Sequence, residues 1–489
     1  MPRRSFAQLA VNVRASMAGV TWHDFCNVRS IGFTLIRGWG LVIFFGGFVL
    51  ITQREGLPAL EMAVSTAATI ITLLFSAIFS KVVDRAFGLP AFKVAVLAAC
   101  PLGALIALGG AGFSDTYYLI AALSGEVLFG AGSTFVLIGY GKAHSYCQPN
   151  RMSVEVPFAI VLGATLMLLV LSAQPVVIQL ACSLLPSIAG IILFSNSFTW
   201  NPGSAEEHRS SLQFGPFIRR FGVCSCLAGI ADCLVRTVFF DSALYAATVV
   251  WYENPVFLSC LIMAAIIYPC ILLTGNNSVQ ITYRSIVFAM AALFMLLPAL
   301  SEYLVVVNVL ALAAYETFIV FVWILLATIA SRLKLAPTMV FGLGLSLLYI
   351  GHFLGGQIAP LLAVFKPYTP QFTSLIVLIA AACILSSYMF IFNERSLAEL
   401  IKGEDSDRSR QPFKEHCETI ASEYSLSPRE TEVMILFAKG HSITRIQSDL
   451  YISRGTASTH LRHIYKKLNV HDKQEFLDFV DIGKPADPR

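Results

Sequence analysis

The chain predicts an all-α fold in two unequal parts. The larger is a polytopic membrane bundle of about twelve transmembrane helices, arranged six plus six; the smaller is a soluble four-helix domain after it. Three observations carry this. The 489 residues are 56% hydrophobic and only 13% charged, with a mean hydropathy of +0.71, whereas a soluble domain is normally about a quarter charged. Apolar runs of about 20 residues, the length that crosses a bilayer, recur from residue 31 to residue 392. Beyond them the pattern changes to charged and apolar positions alternating at helical spacing.

Residues 1–30 form a polar tail with Arg3, Arg4, Arg14 and Arg29. The apolar run that follows is of full spanning length, so the tail reads as cytoplasmic rather than as a cleavable signal. The first membrane half, 31–195, holds spans 31–52, 57–79, 92–112, 117–140, 154–173 and 175–195. A polar central loop, 196–220, carries Glu206, Glu207, His208 and Arg209. The second half, 221–392, holds spans 221–240, 255–274, 285–300, 304–330, 338–362 and 371–392, and 242–252 is apolar enough to extend a neighbour or lie at the interface.

Orientation follows from the excess of Lys and Arg on the cytoplasmic side. With the N-terminus inside, the inner loops carry Lys81, Arg85, Lys93, Lys142, Arg151, Arg209, Arg219, Arg220, Arg284, Arg332 and Lys334. The outer loops carry Arg54 and Lys366. Both termini are therefore expected in the cytoplasm. The inner loop Ser80-Lys-Val-Val-Asp84-Arg85 resembles a degenerate form of the GxxxDR loop of the major facilitator superfamily, with Ser80 where glycine is usual. With the six-plus-six division, that resemblance implies a major-facilitator-like bundle.

Ionisable groups at membrane depth are costly and mark function by default. Glu126 and Glu316 lie mid-span in the fourth and tenth spans, equivalent places in two six-helix halves. Both are expected to face a central cavity and to suit a polar or cationic small molecule, or a proton. Asp232 and Arg236 are four apart and can pair on one helix face; they complete the candidate ligand set. Arg37, about 10 Å from the inner end of its span, reads as a snorkelling side chain. Trp39, Tyr140, Tyr315 and Tyr349 are further candidates for the cavity wall. Gly342, Gly344, Gly351, Gly355 and Gly356 form a small-residue face suited to close helix packing.

The eleven cysteines fall mostly within apolar stretches, as with Cys100, Cys182, Cys260, Cys270 and Cys383, and Cys224 and Cys226 do not form a CxxC pair. No disulfide framework, metal site or cofactor is expected. With no nucleophile–base set or phosphate loop, an enzyme is not expected either.

Residues 393–425 join the two parts. The charged run 404–411 reads as flexible, and 413–424 as a short helix leading into the domain. In the domain, 426–482, Ser427 and Pro428 suit the cap and first position of a helix that buries Val433, Leu436 and Phe437 and ends at Gly440. A second helix, 442–450, has Ile443, Ile446 and Leu450 on one side. After a very short link, Ser453 caps a helix whose Ala457, Leu461, Ile464, Tyr465 and Leu468 form one apolar stripe. Its other face carries Arg454, Ser458, Thr459, Arg462, Lys466 and Lys467, with no acid. A fourth helix, 473–481, follows Asp472, and 483–489 is a tail. A basic helix behind a tight turn is the helix-turn-helix pattern, and it can enter the DNA major groove.

The run Leu426-Ser-Pro-Arg-Glu430, Val433, Ala438-Lys-Gly440, Ile446, Leu450, Ile452-Ser453, Thr456, His460, Ile464-Tyr-Lys-Lys-Leu468, Val470 strongly resembles the LuxR-type (GerE-like) DNA-binding domain. Ser458 stands where that family usually has a basic residue. The resemblance implies base contacts from Ser458, Thr459 and Arg462, and phosphate contacts from Thr456, Lys466, Lys467 and Arg445. It also implies a homodimer on double-stranded DNA, joined through Phe476, Leu477 and Val480. The expectation for the whole is a one-component transcription regulator in a bacterial inner membrane, sensing a small molecule through its bundle. The alternative is a transporter that carries a regulatory DNA-binding domain.

Overall fold

The computed structural model describes residues 27–46, 57–110, 115–147, 149–195, 214–240, 254–274, 304–332, 335–363, 376, 379–380, 382–383, 417–438, 441–450 and 452–482. They are helical, with no strand among them. The chain divides into two compact units, Met1–Asn393 and Glu394–Arg489.

In the first unit the described helices are α1 (Val28–Gly46), α2 (Leu57–Ile78), α3 (Ser80–Ala86), α4 (Pro90–Gly110), α5 (Asp115–Ser145), α6 (Pro149–Leu171), α7 (Pro175–Ser195), α8 (Phe214–Phe240), α9 (Pro255–Thr274), α10 (Leu304–Arg332) and α11 (Pro337–Ala363). Five begin on proline, whose missing N–H costs nothing at a first helical position. Asn254 caps α9 by accepting from the N–H groups of Val256 and Phe257, each at 3.1 Å. Among the described residues, seven helices are long and apolar enough to cross a membrane: Leu60–Ile78, Pro90–Ala107, Thr116–Ser145, Arg151–Leu171, Val176–Ser195, Leu312–Ser331 and Pro337–Ile358. Phe221–Leu234 and Pro255–Pro269 are shorter apolar helices. The predicted span at 285–300, most of 371–392, the segment 242–252 and the loop 196–213 lie outside the described residues.

Contacts between helices repeat after six spans. α1 packs on α6 as α8 packs on α11; α2 packs on α5 as α9 packs on α10. Across the halves, α2 meets α11 as α6 meets α9. That is the pattern of two six-helix halves related by a pseudo-two-fold axis. Glycines set two of the equivalent crossings. A Cβ on Gly38 of α1 would lie 3.0 Å from the Gly163 carbonyl of α6, and one on Gly351 of α11 only 2.1 Å from the Cys226 carbonyl of α8. The small-residue face of α11 is thus consumed by packing, against α8 and, at Gly342, against Leu73 of α2.

The predicted GxxxDR-like loop is the short helix α3. Asp84 accepts from Lys142 Nζ of α5 at 2.6 Å and from the Thr338 hydroxyl of α11 at 2.7 Å, so it ties the halves together at this end of the bundle.

The second unit contains α12 (417–423), α13 (Pro428–Ala438), α14 (Ile443–Leu450), α15 (Arg454–Leu468) and α16 (Lys473–Ile482). Each of the last four is capped by the side chain before it: Ser427, Ser442, Ser453 and Asp472 accept from the N–H groups of Glu430, Arg445, Thr456 and Glu475. Asn469 ends α15 in the left-handed conformation, φ 55°. One core gathers Val433, Met434, Phe437, Ile446, Ala457, Leu461, Ile464, Leu468, Phe476 and Val480. Cys417, Ile420 and Ala421 of α12 belong to it, so the predicted lead-in helix is a working part of the domain.

Candidate nucleic-acid interface and membrane cavity

α15 turns Ala457, Leu461, Ile464 and Leu468 inward. That leaves Arg454, Thr456, Thr459, Arg462 and Lys466 exposed on the opposite side and Ser458 half-exposed. The Thr456 hydroxyl lies 2.8 Å from that of Ser453, and the Thr459 hydroxyl donates to the Gly455 carbonyl at 2.9 Å. Both hydroxyls keep acceptor capacity for a further partner.

One expected contact, that of Lys467, changes on inspection. Lys467 donates to the Ser425 carbonyl at 2.9 Å and to the Glu430 carboxylate at 2.7 Å. It bolts α15 to the start of α13 rather than waiting for a phosphate. Arg445 is exposed, with Asp449 at 3.8 Å on the same helix. Arg429 donates to the Leu450 carbonyl at 2.6 Å, closing the end of α14, and also meets Glu432.

Glu430 is the hub of this arrangement. It accepts from the Ser427 N–H at 2.8 Å while the Ser427 hydroxyl accepts from the Glu430 N–H, a reciprocal capping box. Burial raises its pKa, but hydrogen bonds from Lys467 and Ser427 outweigh this and hold the carboxyl down at about 2.

The expected dimer contact is corrected. Phe476 and Val480 are buried in the domain's own core, and Leu477 packs partly against it. Their helical spacing marked an apolar stripe, but the stripe was needed inside. Spacing alone cannot tell an internal face from an external one.

In the membrane unit a cavity opens between the halves, with about 120 Å³ reachable by the centre of a water molecule. Glu126 and Glu316 both line it. So do Trp39, Tyr315 and Tyr349, but Tyr140 does not. Tyr140 is buried, donating to the Ala189 carbonyl at 2.8 Å. Arg37 does not snorkel: its Nη2 lies 3.3 Å from Glu316 Oε2, a pair joining α1 of one half to α10 of the other. A buried carboxylate within reach outcompetes the interface, since leaving either charge alone is expensive.

Asp232 is absent from the lining. It reaches the cavity at second hand: its Oδ2 is 3.5 Å from His352 Nδ1, and His352 Nε2 is 2.5 Å from the Tyr315 hydroxyl. The side chain of Arg236 lies outside the described residues, so the predicted Asp232–Arg236 pairing does too. Glu61, His352 and Trp323 also line the cavity and were not in the expected ligand set. Glu61 and His352 are ionisable groups within apolar runs of the sequence, but nothing in their spacing aims them inward. Ser65 and Glu61 of α2 line the same cavity as Glu126.

Behind the cavity wall, Trp323 Nε1 donates to His144 Nδ1 at 3.3 Å. His144 Nε2 lies 3.3 Å from Glu155, which also accepts from Arg29 at 2.9 and 2.5 Å. Glu155 is fully buried, and this network supplies the pairing such a position demands.

Comparison with known proteins follows the same division. Residues 424–480 match the family "Bacterial regulatory proteins, luxR family"; this part of the chain is a LuxR-type helix-turn-helix domain. It is 32% identical over 78 residues to the oxygen regulatory protein NreC of Staphylococcus carnosus, covering 16% of this chain and 31% of that one. It is 42% identical over 65 residues to the uncharacterized response regulatory protein YgeK of Escherichia coli, covering 12% of this chain and 44% of that one. The chain therefore spans less than half the length of these relatives. Most of the remainder has a fold like that of major facilitator transporters. A bacterial homologue of the iron transporter ferroportin in an outward-facing state aligns with a TM-score of 0.54 at 12% identity, over 74% of this chain and 96% of that one. The human organic anion transporter MFSD10 aligns with a TM-score of 0.54 at 13% identity, over 76% and 99%.

Proposed function

We propose that this protein is a membrane-bound one-component transcription regulator. Its bundle takes a small molecule into the central cavity, and its C-terminal domain binds double-stranded DNA as a homodimer from the cytoplasmic side of a bacterial inner membrane. One observation carries the reading: a helix-turn-helix domain with an exposed basic face and a bundle with a charged cavity between its halves share one chain. A ligand that prefers one arrangement of the halves shifts the population of that arrangement. The Arg37–Glu316 and Asp84–Thr338 contacts bridge the halves and so differ between arrangements.

On DNA, Arg462 suits a guanine edge, Ser458 and Thr459 add base contacts, and Thr456, Lys466 and Arg445 meet phosphates. Genome-wide mapping of DNA bound by the intact protein tests the reading. Sites that depend on the Arg462 face support it; absence of any site, or a carboxyl terminus outside the cell in reporter fusions, overturns it.

The second reading, a transporter carrying a regulatory domain, draws on the intact Asp84 tie between the halves and on the transporter fold. Uptake of labelled ligand into vesicles, set against binding alone, separates the two.

A further inference from the structure

The cavity wall is unevenly charged. Among the described residues, Glu61, Glu126 and Glu316 stand on it against one guanidinium, Arg37, which already pairs with Glu316, and one imidazole, His352. The same wall carries indole and phenol rings, Trp323 and Tyr349 among them. Arg37 Nε is buried at this wall and makes no hydrogen bond among the described residues.

Each feature selects part of a ligand. A surplus of acidic groups in a medium poor in water favours an entering cation, which is worth more there than at a surface. Aromatic faces hold cations and apolar bodies together. The open Nε–H calls for an acceptor atom on the ligand. An anion would meet three acidic side chains, and a bare metal ion would leave the rings and the Nε–H without a role.

We propose that the cavity binds an organic cation: a protonated amine on an aromatic or apolar body that also carries a hydrogen-bond acceptor. The inference rests on the sensor reading above and names its ligand class. The ammonium group sits among Glu61, Glu126 and Glu316, and so competes with Arg37 for Glu316. Binding thereby loosens a contact between α1 and α10, one from each half.

The test uses the full-length protein in lipid nanodiscs and two probes with the same phenol ring and opposite charge, tyramine and 4-hydroxyphenylacetate. Isothermal titration calorimetry is expected to show tyramine binding and no 4-hydroxyphenylacetate binding. Glu126→Gln is expected to weaken tyramine at least tenfold. It leaves the Arg37–Glu316 pair intact, so loss of fold does not confuse the result; an unchanged melting temperature checks this. Equal binding of both probes, binding of neither, or an unaffected Glu126→Gln variant overturns the proposal. A DNA-binding measurement on the same samples keeps the premise separate. Tyramine binding with unchanged DNA affinity would sink the sensor reading and leave the ligand class standing, whereas ligand-responsive DNA binding without charge preference would do the reverse.

Discussion

Arg37 Nη2 and Glu316 Oε2 stand 3.3 Å apart although 279 residues separate them. The pair fastens the first half of the bundle to the second at the wall of the cavity. Removing one partner strands the other in a medium that solvates it poorly, whereas replacing both by apolar groups does not. Arg37→Met or Glu316→Met is therefore expected to cost about 3 kcal/mol, and the double replacement by Met clearly less. Thermal unfolding of the four proteins in one detergent measures this double-mutant cycle. Additive losses would show that the pair is not coupled.

The basic helix divides its work among neighbouring cations. Arg462→Ala should narrow the gap between specific and non-specific DNA by about 1–3 kcal/mol. Lys466→Ala should weaken all DNA alike and reduce the salt slope by about 1. Lys467→Ala should instead destabilise the domain, because its ammonium is spent on Glu430 and Ser425. Gel-shift salt titrations, beside urea unfolding of each variant, distinguish the three outcomes.

Glu430 makes the DNA-binding domain acid-sensitive. Its carboxyl titrates at about 2 in the fold and at about 4.3 in an unfolded chain. The unfolded state thus takes up the proton first as pH falls. The stability Glu430 contributes is complete above about pH 4.3 and disappears as pH falls to about 2. Glu430→Gln should remove about 2 kcal/mol at neutral pH and flatten the dependence between those values. Urea unfolding of the 394–489 unit across that range reads both effects; parallel curves for wild type and variant would refute the assignment.

Phe476→Ala tests which side of α16 holds the domain together. The ring is fully buried against Phe437 and Tyr465, so its loss should cost about 3–5 kcal/mol of folding stability. A variant that stays folded and merely fails to dimerise on DNA, as sedimentation would show, would restore the external role.

Gly351→Ala should disrupt the α8–α11 crossing, since the added carbon meets a backbone carbonyl that has nowhere to go. Gly356→Ala should be neutral, its nearest neighbour being the Cys233 sulfur at 3.7 Å. Melting temperatures of the two variants give the comparison.

Much of this protein can be read without coordinates, because the signals are local. Spanning helices announce themselves by length and hydropathy, and the caps Ser427, Ser453 and Asp472 sit where backbone N–H groups need them. The inward stripe and exposed cations of α15 follow from helical period alone. Glu126 and Glu316 could be placed on one cavity because the two halves repeat. What only the tertiary structure decided concerns partners far apart in the chain. Arg37 had an acid on α10, Lys467 an acid on α13, Asp232 a histidine on α11, and Phe476 a core to fill. Periodicity tells which residues share a face, but not what that face meets; that depends on how separate helices pack, and packing is settled by the whole fold at once.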